Sequence, residues 1–159
     1  MLSIASASSL AAYERVTTTS GNITFKAPTY PVTTTITPVA NLTSGQVAGS
    51  TKIAEIGFSS PQPQKIAYRW GAATSNFTPP ANRIMIATIK GNNNSTNQLQ
   101  LVLGINTDAS AQSNGDGTNW MVTKNEVTSF KSDINTVGVS SSVNPDTYTV
   151  HIESGVYVL

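Results

Sequence analysis

The only imidazole in the chain, His151, stands in the alternating stretch Asp146-Thr-Tyr-Thr-Val-His-Ile152, on the face opposite Val150 and Ile152. An imidazole works as general acid, base or metal ligand only beside a group that orients it or takes its proton. No such group is spaced to it. The chain has no cysteine, no Gly-x-Ser-x-Gly elbow and no Walker loop, and none of its His, Asp or Glu residues are set at metal-ligand spacing. His151 therefore reads as a solvated residue on the polar face of a strand. Asn114-Gly-Asp-Gly117 resembles a fragment of a calcium loop, but the further carboxylates and the closing Glu are missing, so a tight turn is expected. Asp108 and Asp116 sit in one polar loop with nothing to set them as an acid–base couple. No nucleophile, base and acid can be written down together. An enzyme is not expected, nor a cofactor, nor a metal.

Aromatic residues carry the other possible chemistry. Trp70 and Trp120, with Tyr30, Tyr68, Tyr148 and Tyr157, are the residue types of a sugar-stacking platform. Each Trp falls in a stretch whose alternation places it among apolar residues, so core packing is the expectation for both. Asn-x-Ser/Thr sequons begin at Asn22, Asn41, Asn76, Asn93 and Asn94. A chain this rich in Asn, Ser and Thr produces such matches by chance, and they matter only where the host glycosylates them.

The elements that must position these residues read as strands. Residues 32–39, 52–58, 65–70, 83–90, 98–103, 119–123 and 146–152 alternate or run apolar, and turn-rich clusters at 59–64, 78–81, 91–97 and 107–117 separate them. Pro38 marks the first of these as an edge strand or a kinked end. The runs 83–90 and 98–103 are expected to form a hairpin across residues 91–97. Residues 124–137 are open between a short strand and a helical turn. Tyr148, Val150 and Ile152 share one face of the last alternating run. No stretch carries a 3.6-residue apolar period. The expected class is an all-β sandwich.

Composition agrees. Hydrophobic residues make up 38% of the 159 and charged residues only 11%, with Ser, Thr, Asn and Gly filling the difference, which suits short strands and turns rather than helices. The net charge of +1 is spread along the chain, so no basic run exists to grip a nucleic acid. The apolar stretches fall far short of the ~20 residues of a membrane span. Low charge with abundant Ser and Thr leans toward an exported protein. Ala5-Ser6-Ala7 fits a signal-peptidase site, but no basic residue precedes it and its apolar core is short. Either an upstream signal has been removed or this is a flexible start.

Residues 13–28 read as a further strand with no place in the domain that follows, cut off from it by Pro28 and Pro31, while the chain stops on the apolar run Gly155-Val-Tyr-Val-Leu159. A spare strand in front and a vacancy behind suggest a subunit that lends a strand to its neighbour. The alternative is an ordinary first strand paired within its own domain.

Asn22-Ile-Thr-Phe-Lys-Ala-Pro28, Ile36-Thr-Pro-Val39, Leu42-Thr-Ser-Gly45 and Lys52-Ile-Ala54, then Asn114-Gly-x-Gly-x-Asn-Trp-Met121 and Asn144-Pro-Asp-Thr-Tyr148, together resemble the chaperone–usher pilins, especially Saf-type atypical fimbriae and related polyadhesin subunits. The resemblance covers residues 22–58 and 114–158. It implies an immunoglobulin-like β-sandwich lacking its last (G) strand, completed by a donor strand from a neighbouring subunit. The chain then divides into an N-terminal extension (1–28, donor strand about 14–27) and an incomplete domain (29–159). Ile23 and Phe25 become the pocket fillers. Gly21 continues their face without a side chain, and Val16 turns inward if a bulge forms near Gly21. Pro28 and Pro31 become a stiff hinge. Tyr148, Val150 and Ile152 form the groove edge on the last strand. The implied function is a structural subunit of an extracellular pilus or fimbria, secreted and polymeric, with cell adhesion and virulence as its role. Its implied partners are identical or related pilins, a periplasmic chaperone, an outer-membrane usher and a host-cell receptor. Two other readings remain: a donor-strand filament subunit outside the chaperone–usher pathway, for example archaeal, and a carbohydrate-binding β-sandwich module.

Overall fold

Alternating side chains commit each strand to one buried face, and here Ile56 and Phe58, then Ile66, Tyr68 and Trp70, then Leu99, Leu101 and Leu103 make that commitment. The computed structural model, which describes residues 19–22, 30–138 and 141–158, turns such runs into twelve strands and, among the described residues, no helix. One sheet holds, in spatial order, β1 (Thr33–Pro38), β3 (Lys52–Gln64), β10 (Val127–Thr136), β7 (Gln98–Leu103), β6 (Ala87–Lys90) and β5 (Phe77–Thr78). The other holds β12 (Ile152–Val156), β4 (Ile66–Trp70), β9 (Asn119–Thr123) and β8 (Ala109–Ser113). β2 (Gly45–Val47) and β11 (Ser141–Val143) pair as a short ribbon, and all pairings are antiparallel. A single residue, Lys65, carries the chain from the end of β3 in one layer to the start of β4 in the other.

The core lies between the layers. Phe58, Tyr68 and Phe130 form an aromatic cluster across the gap, with ring centroids 4.8 Å apart for Phe58 and Tyr68 and 5.8 Å for Tyr68 and Phe130. The Tyr68 hydroxyl donates to Ser132 Oγ at 3.2 Å, a bond from one sheet to the other, and burial pushes the phenol pKa up. The Trp70 indole N–H donates to the Met85 carbonyl at 2.6 Å. Both rings thus give their area to the core without leaving a polar atom orphaned.

The all-β class, the 98–103 and 119–123 strands, the 91–97 hairpin and the edge position of the Pro38 strand are as the sequence predicts. Residues 127–136 resolve the ambiguous stretch as a strand. Several boundaries move. The 59–64 cluster is not a turn: β3 continues through it to Gln64, and the ladder to β10 slips between Val127 and Ser129. Side chains replace the lost ladder bonds there, with Gln64 Nε2 donating to Ser60 Oγ at 2.5 Å and to the Tyr30 carbonyl at 2.9 Å. The 83–90 strand shortens to β6. Arg83 N–H donates to the Pro80 carbonyl and Asn82 Oδ1 accepts from Ile84 and Met85, so residues 80–85 form a turn with Arg83 at φ 65°. The 107–117 loop contains β8. The last ladder begins at Ile152 rather than 146, because β4 ends at Trp70, the partner of Ile152.

Trp120 corrects a second expectation. It lies half-buried on the outer face of the smaller sheet with the Arg69 guanidinium 4.0 Å from its ring centroid, whereas Trp70 is fully buried. His151 is likewise half-buried, its ring edge-on to Phe77 at 5.4 Å, rather than fully solvated. The two tryptophans should therefore separate in a urea titration. Trp70→Ala is expected to cost ~3–5 kcal/mol of unfolding free energy, as buried Trp truncations do, and Trp120→Ala less than half as much. Equal losses would contradict this division of roles.

Candidate functional site

Among the described residues β1 and β12 are edge strands, each bonded on one side only, and they face one another across the same seam of the sandwich. At one point they touch, where Thr34 Oγ1 and Ser154 Oγ share a hydrogen bond of 2.5 Å. Past that contact the seam opens into a cleft of about 630 Å³. Ile36 and Pro38 of β1 form one wall, Tyr148 and Val150 the other, and Ala54, Leu99 and Ile134 reach it from within. The β2–β11 ribbon contributes Val47 and Val143. Leu42, also in the lining, is 52% exposed. The cleft is thus an apolar opening into the core, bordered by the edge of β1, whose backbone groups have no ladder partner on that side among the described residues.

The second wall has its own support. Pro145 breaks the chain after β11, and Asp146 then anchors it to the β6–β7 loop. The Asp146 carboxylate accepts from the backbone N–H groups of Asn93 at 2.9 Å, Asn94 at 3.0 Å and Thr147 at 2.7 Å, and from the side-chain amides of Asn93 and Asn97 at 3.0 Å each. These donors, the Asn93 backbone first among them, hold its pKa well below the usual carboxylate range. Gly91 is required beside it, since a Cβ there would run into the Asp146 carboxylate. Asn92 N–H donates to the Thr147 carbonyl at 2.9 Å, and the Tyr148 hydroxyl donates to the Asn144 carbonyl at 3.0 Å. Burial, with the Asp146 charge second, pushes the Tyr148 phenol up.

Of the residues singled out in the sequence, Tyr148 and Val150 meet in this wall. Ile152 begins β12 and packs against the core beside them. Gly21 and Pro31 are exposed, and a Cβ at Gly21 would meet nothing within 4 Å. Ile23, Phe25, Val16 and Pro28 lie outside the described residues. Asn114 to Gly117 make the β8–β9 hairpin turn, with Gly115 and Gly117 at φ 80° and 86° and Asp116 accepting from Thr118 N–H at 2.9 Å. Asp108 and Asp116 flank β8 at its opposite ends and form no pair. Sequence reasoning missed Ile36, Ala54, Ile134 and Asp146. The apolar–polar alternation of 32–39 and 52–58 carried the signal for the first two. Nothing local links Asp146 to asparagines some fifty positions earlier.

No protein-family model matches the chain, and no curated protein sequence does. Solved structures do. The chain is similar to the Salmonella SafD adhesin, with 13% identity, 79% of this chain and 86% of that one covered, and a TM-score of 0.64. It is also similar to HdaB, the minor tip subunit of the E. coli Hda pilus, at 11% identity, 81% and 85% coverage and a TM-score of 0.63. A third likeness is to AggB, the minor subunit of E. coli aggregative adherence fimbriae type I, at 16% identity, 77% and 82% coverage and a TM-score of 0.58. The fold is the immunoglobulin-like fold of these fimbrial subunits, the fold that the sequence resemblance implies.

Asp146 gives the wall a defined pH response. Its pKa is depressed by folding, so its contribution is present above the ordinary value of 3.8 and is lost only as pH falls through the lower folded value. Asp146→Asn puts an amide donor among donors and is expected to lower the urea midpoint at pH 7. The gap from the unsubstituted protein should narrow steadily as pH is taken below 3.8. A gap that stays constant down to pH 2 would contradict the assignment.

Proposed function

We propose that this chain is a structural subunit of an extracellular fimbria, polymerised by strand addition into the cleft between β1 and the 144–150 segment that leads into β12. The observation that carries the reading is the cleft itself: about 630 Å³ of apolar space opening between the segment of Tyr148 and Val150 and β1, whose outer edge has no partner among the described residues. A strand laid there would bond to the edge of β1 and place alternate side chains on Ala54, Leu99 and Ile134. The fold shared with SafD, HdaB and AggB, which their descriptions call an adhesin, a minor tip subunit of a pilus and a minor fimbrial subunit, supports it.

In this reading residues 1–28 are the extension and 29–159 the acceptor domain. The donor is the 14–27 segment of a neighbouring copy, with Ile23 and Phe25 as pocket fillers, Gly21 continuing their face, Val16 turned in by a bulge, and Pro28 and Pro31 directing the arm outward. Before assembly the open cleft is covered by a periplasmic chaperone, and the exchange takes place at an outer-membrane usher. The finished polymer stands at the cell surface, where adhesion to a host receptor is its role.

The full chain is expected to give SDS-resistant ladders, and Ile23→Asp combined with Phe25→Asp to abolish them. A chain lacking residues 1–28 should bind a synthetic peptide of residues 14–27. Its melting temperature should rise by about 10 °C, the shift that ~4 kcal/mol of linkage at saturating ligand produces in a domain of this size. A truncated chain that is a stable monomer, indifferent to the peptide, would overturn the reading.

A further inference from the structure

The outer face of the four-stranded sheet carries a second feature, remote from the chemistry of the cleft. Gly155 of β12 pairs with Ala67 of β4, and Ala67 pairs with Val122 of β9. At Gly155 the strand is bare: a Cβ there would meet nothing within 4 Å. A depression of about 330 Å³ lies over this floor, at the lower end of the ~300–1,000 Å³ of small-ligand sites. Trp120 and Tyr157 supply its aromatic surfaces, and Gln112 and Asn114 its amides. Every residue that lines it is uncharged.

Trp120 is fixed in place. The Arg69 guanidinium lies 4.0 Å from its ring centroid, and Arg69 is itself held by Glu153 at 2.8 Å and by Thr118 Oγ1 at 3.1 Å. Glu153 also receives Arg83 at 2.8 Å, so both guanidiniums are held by one carboxylate beside the depression and not in it. Among the described residues, neither the Trp120 indole N–H nor the Tyr157 hydroxyl donates to a protein acceptor, and neither is a buried unsatisfied atom. Both are available to a ligand.

We propose that this depression is a binding site for a neutral saccharide. The site combines aromatic surface, an open glycine floor and amide groups, with no ion. A sugar ring matches each part, since its C–H face packs on the aromatic surface while its hydroxyls bond to amide and indole groups. An ionic ligand would be desolvated without a counter-charge in the lining, and a wholly apolar one would cover the amide oxygens of Gln112 and Asn114, whose nitrogens already donate to Ser110 Oγ at 3.2 Å and Asp116 Oδ2 at 3.1 Å, without giving those oxygens a donor. The site stands apart from strand addition and does not depend on it.

Gly155 allows a test that spares the fold, since its outward Cβ position is empty and its φ lies outside the left-handed region. The full-length protein would be applied to a panel of neutral mono- and disaccharides of hexoses and N-acetylhexosamines, with sialylated and sulfated sugars as charged controls. Affinity would be followed by titration calorimetry, with tryptophan fluorescence as a second readout. Binding of one or more neutral members is expected. Gly155→Val should weaken it at least tenfold with melting temperature unchanged, and Trp120→Ala should weaken it at least tenfold and abolish the fluorescence response. Three results would overturn the assignment: no neutral sugar bound at millimolar concentration, binding confined to the charged controls, or neutral binding that survives Gly155→Val. A peptide that binds at this position while no neutral sugar does would overturn it as well. Failure of ladder formation in the strand-addition experiment would leave these outcomes unaffected.

Discussion

One unsealed seam sets the terms for the rest of the molecule. Elsewhere the two layers are joined by the Lys65 corner, by the Tyr68–Ser132 bond and by the aromatic cluster of Phe58, Tyr68 and Phe130. Between β1 and β12, among the described residues, a single hydrogen bond closes the gap, that of Thr34 with Ser154. A neutral hydrogen bond of this kind nets ~0.5–1.5 kcal/mol, while covering one large apolar side chain is worth ~1.5–3 kcal/mol. An added strand carrying even two apolar side chains therefore outweighs that contact. It also gives partners to the main-chain groups of the β1 edge, which no side-chain contact can do.

The cleft is shaped before anything occupies it. Asp146 fastens the wall of Tyr148 and Val150 to the β6–β7 loop through four donated hydrogen bonds, and Gly91 leaves the room that this requires. The opposite wall is fixed by the β1–β3 ladder, in register from Thr33 to Pro38. With both walls held by their own neighbours, a strand entering between them spends little on ordering the site. The preference for side chains then rests with the floor of Ala54, Leu99 and Ile134, which belongs to the core itself.

Much of this was legible in the residues. Period-two alternation located the strands that pack on the core, and it placed Tyr148 and Val150 on the side that now lines the cleft. Alternation failed where side chains took over from the ladder. The Ser-Pro-Gln-Pro cluster reads as a turn because its composition is that of turns, yet Gln64 and Ser60 hold it in β3. Trp120 and Trp70 sit in similar local patterns, but Trp120 faces outward in a sheet open to solvent, and only the pairing of its neighbours reveals which face that is. The Asp146 anchor was beyond reach for a different reason. Its partners at 93, 94 and 97 are distant in sequence, and only the folded chain brings them to it.

Charge is handled in the same local way, and this bears on how the molecule meets others. Lys52, Glu55, Lys131 and Asp133 are tied together on the larger sheet, and Arg69, Arg83 and Glu153 on the smaller. Asp146, the one ionised group at the cleft, is turned into backbone and side-chain amides. With a net charge of only +1, the chain presents no strong field at long range. Its encounters are set by unguided diffusion and by the release of water from apolar surface. They are expected to proceed at similar rates in dilute buffer and in brine, where an electrostatically steered pair would slow as salt shortens the screening length.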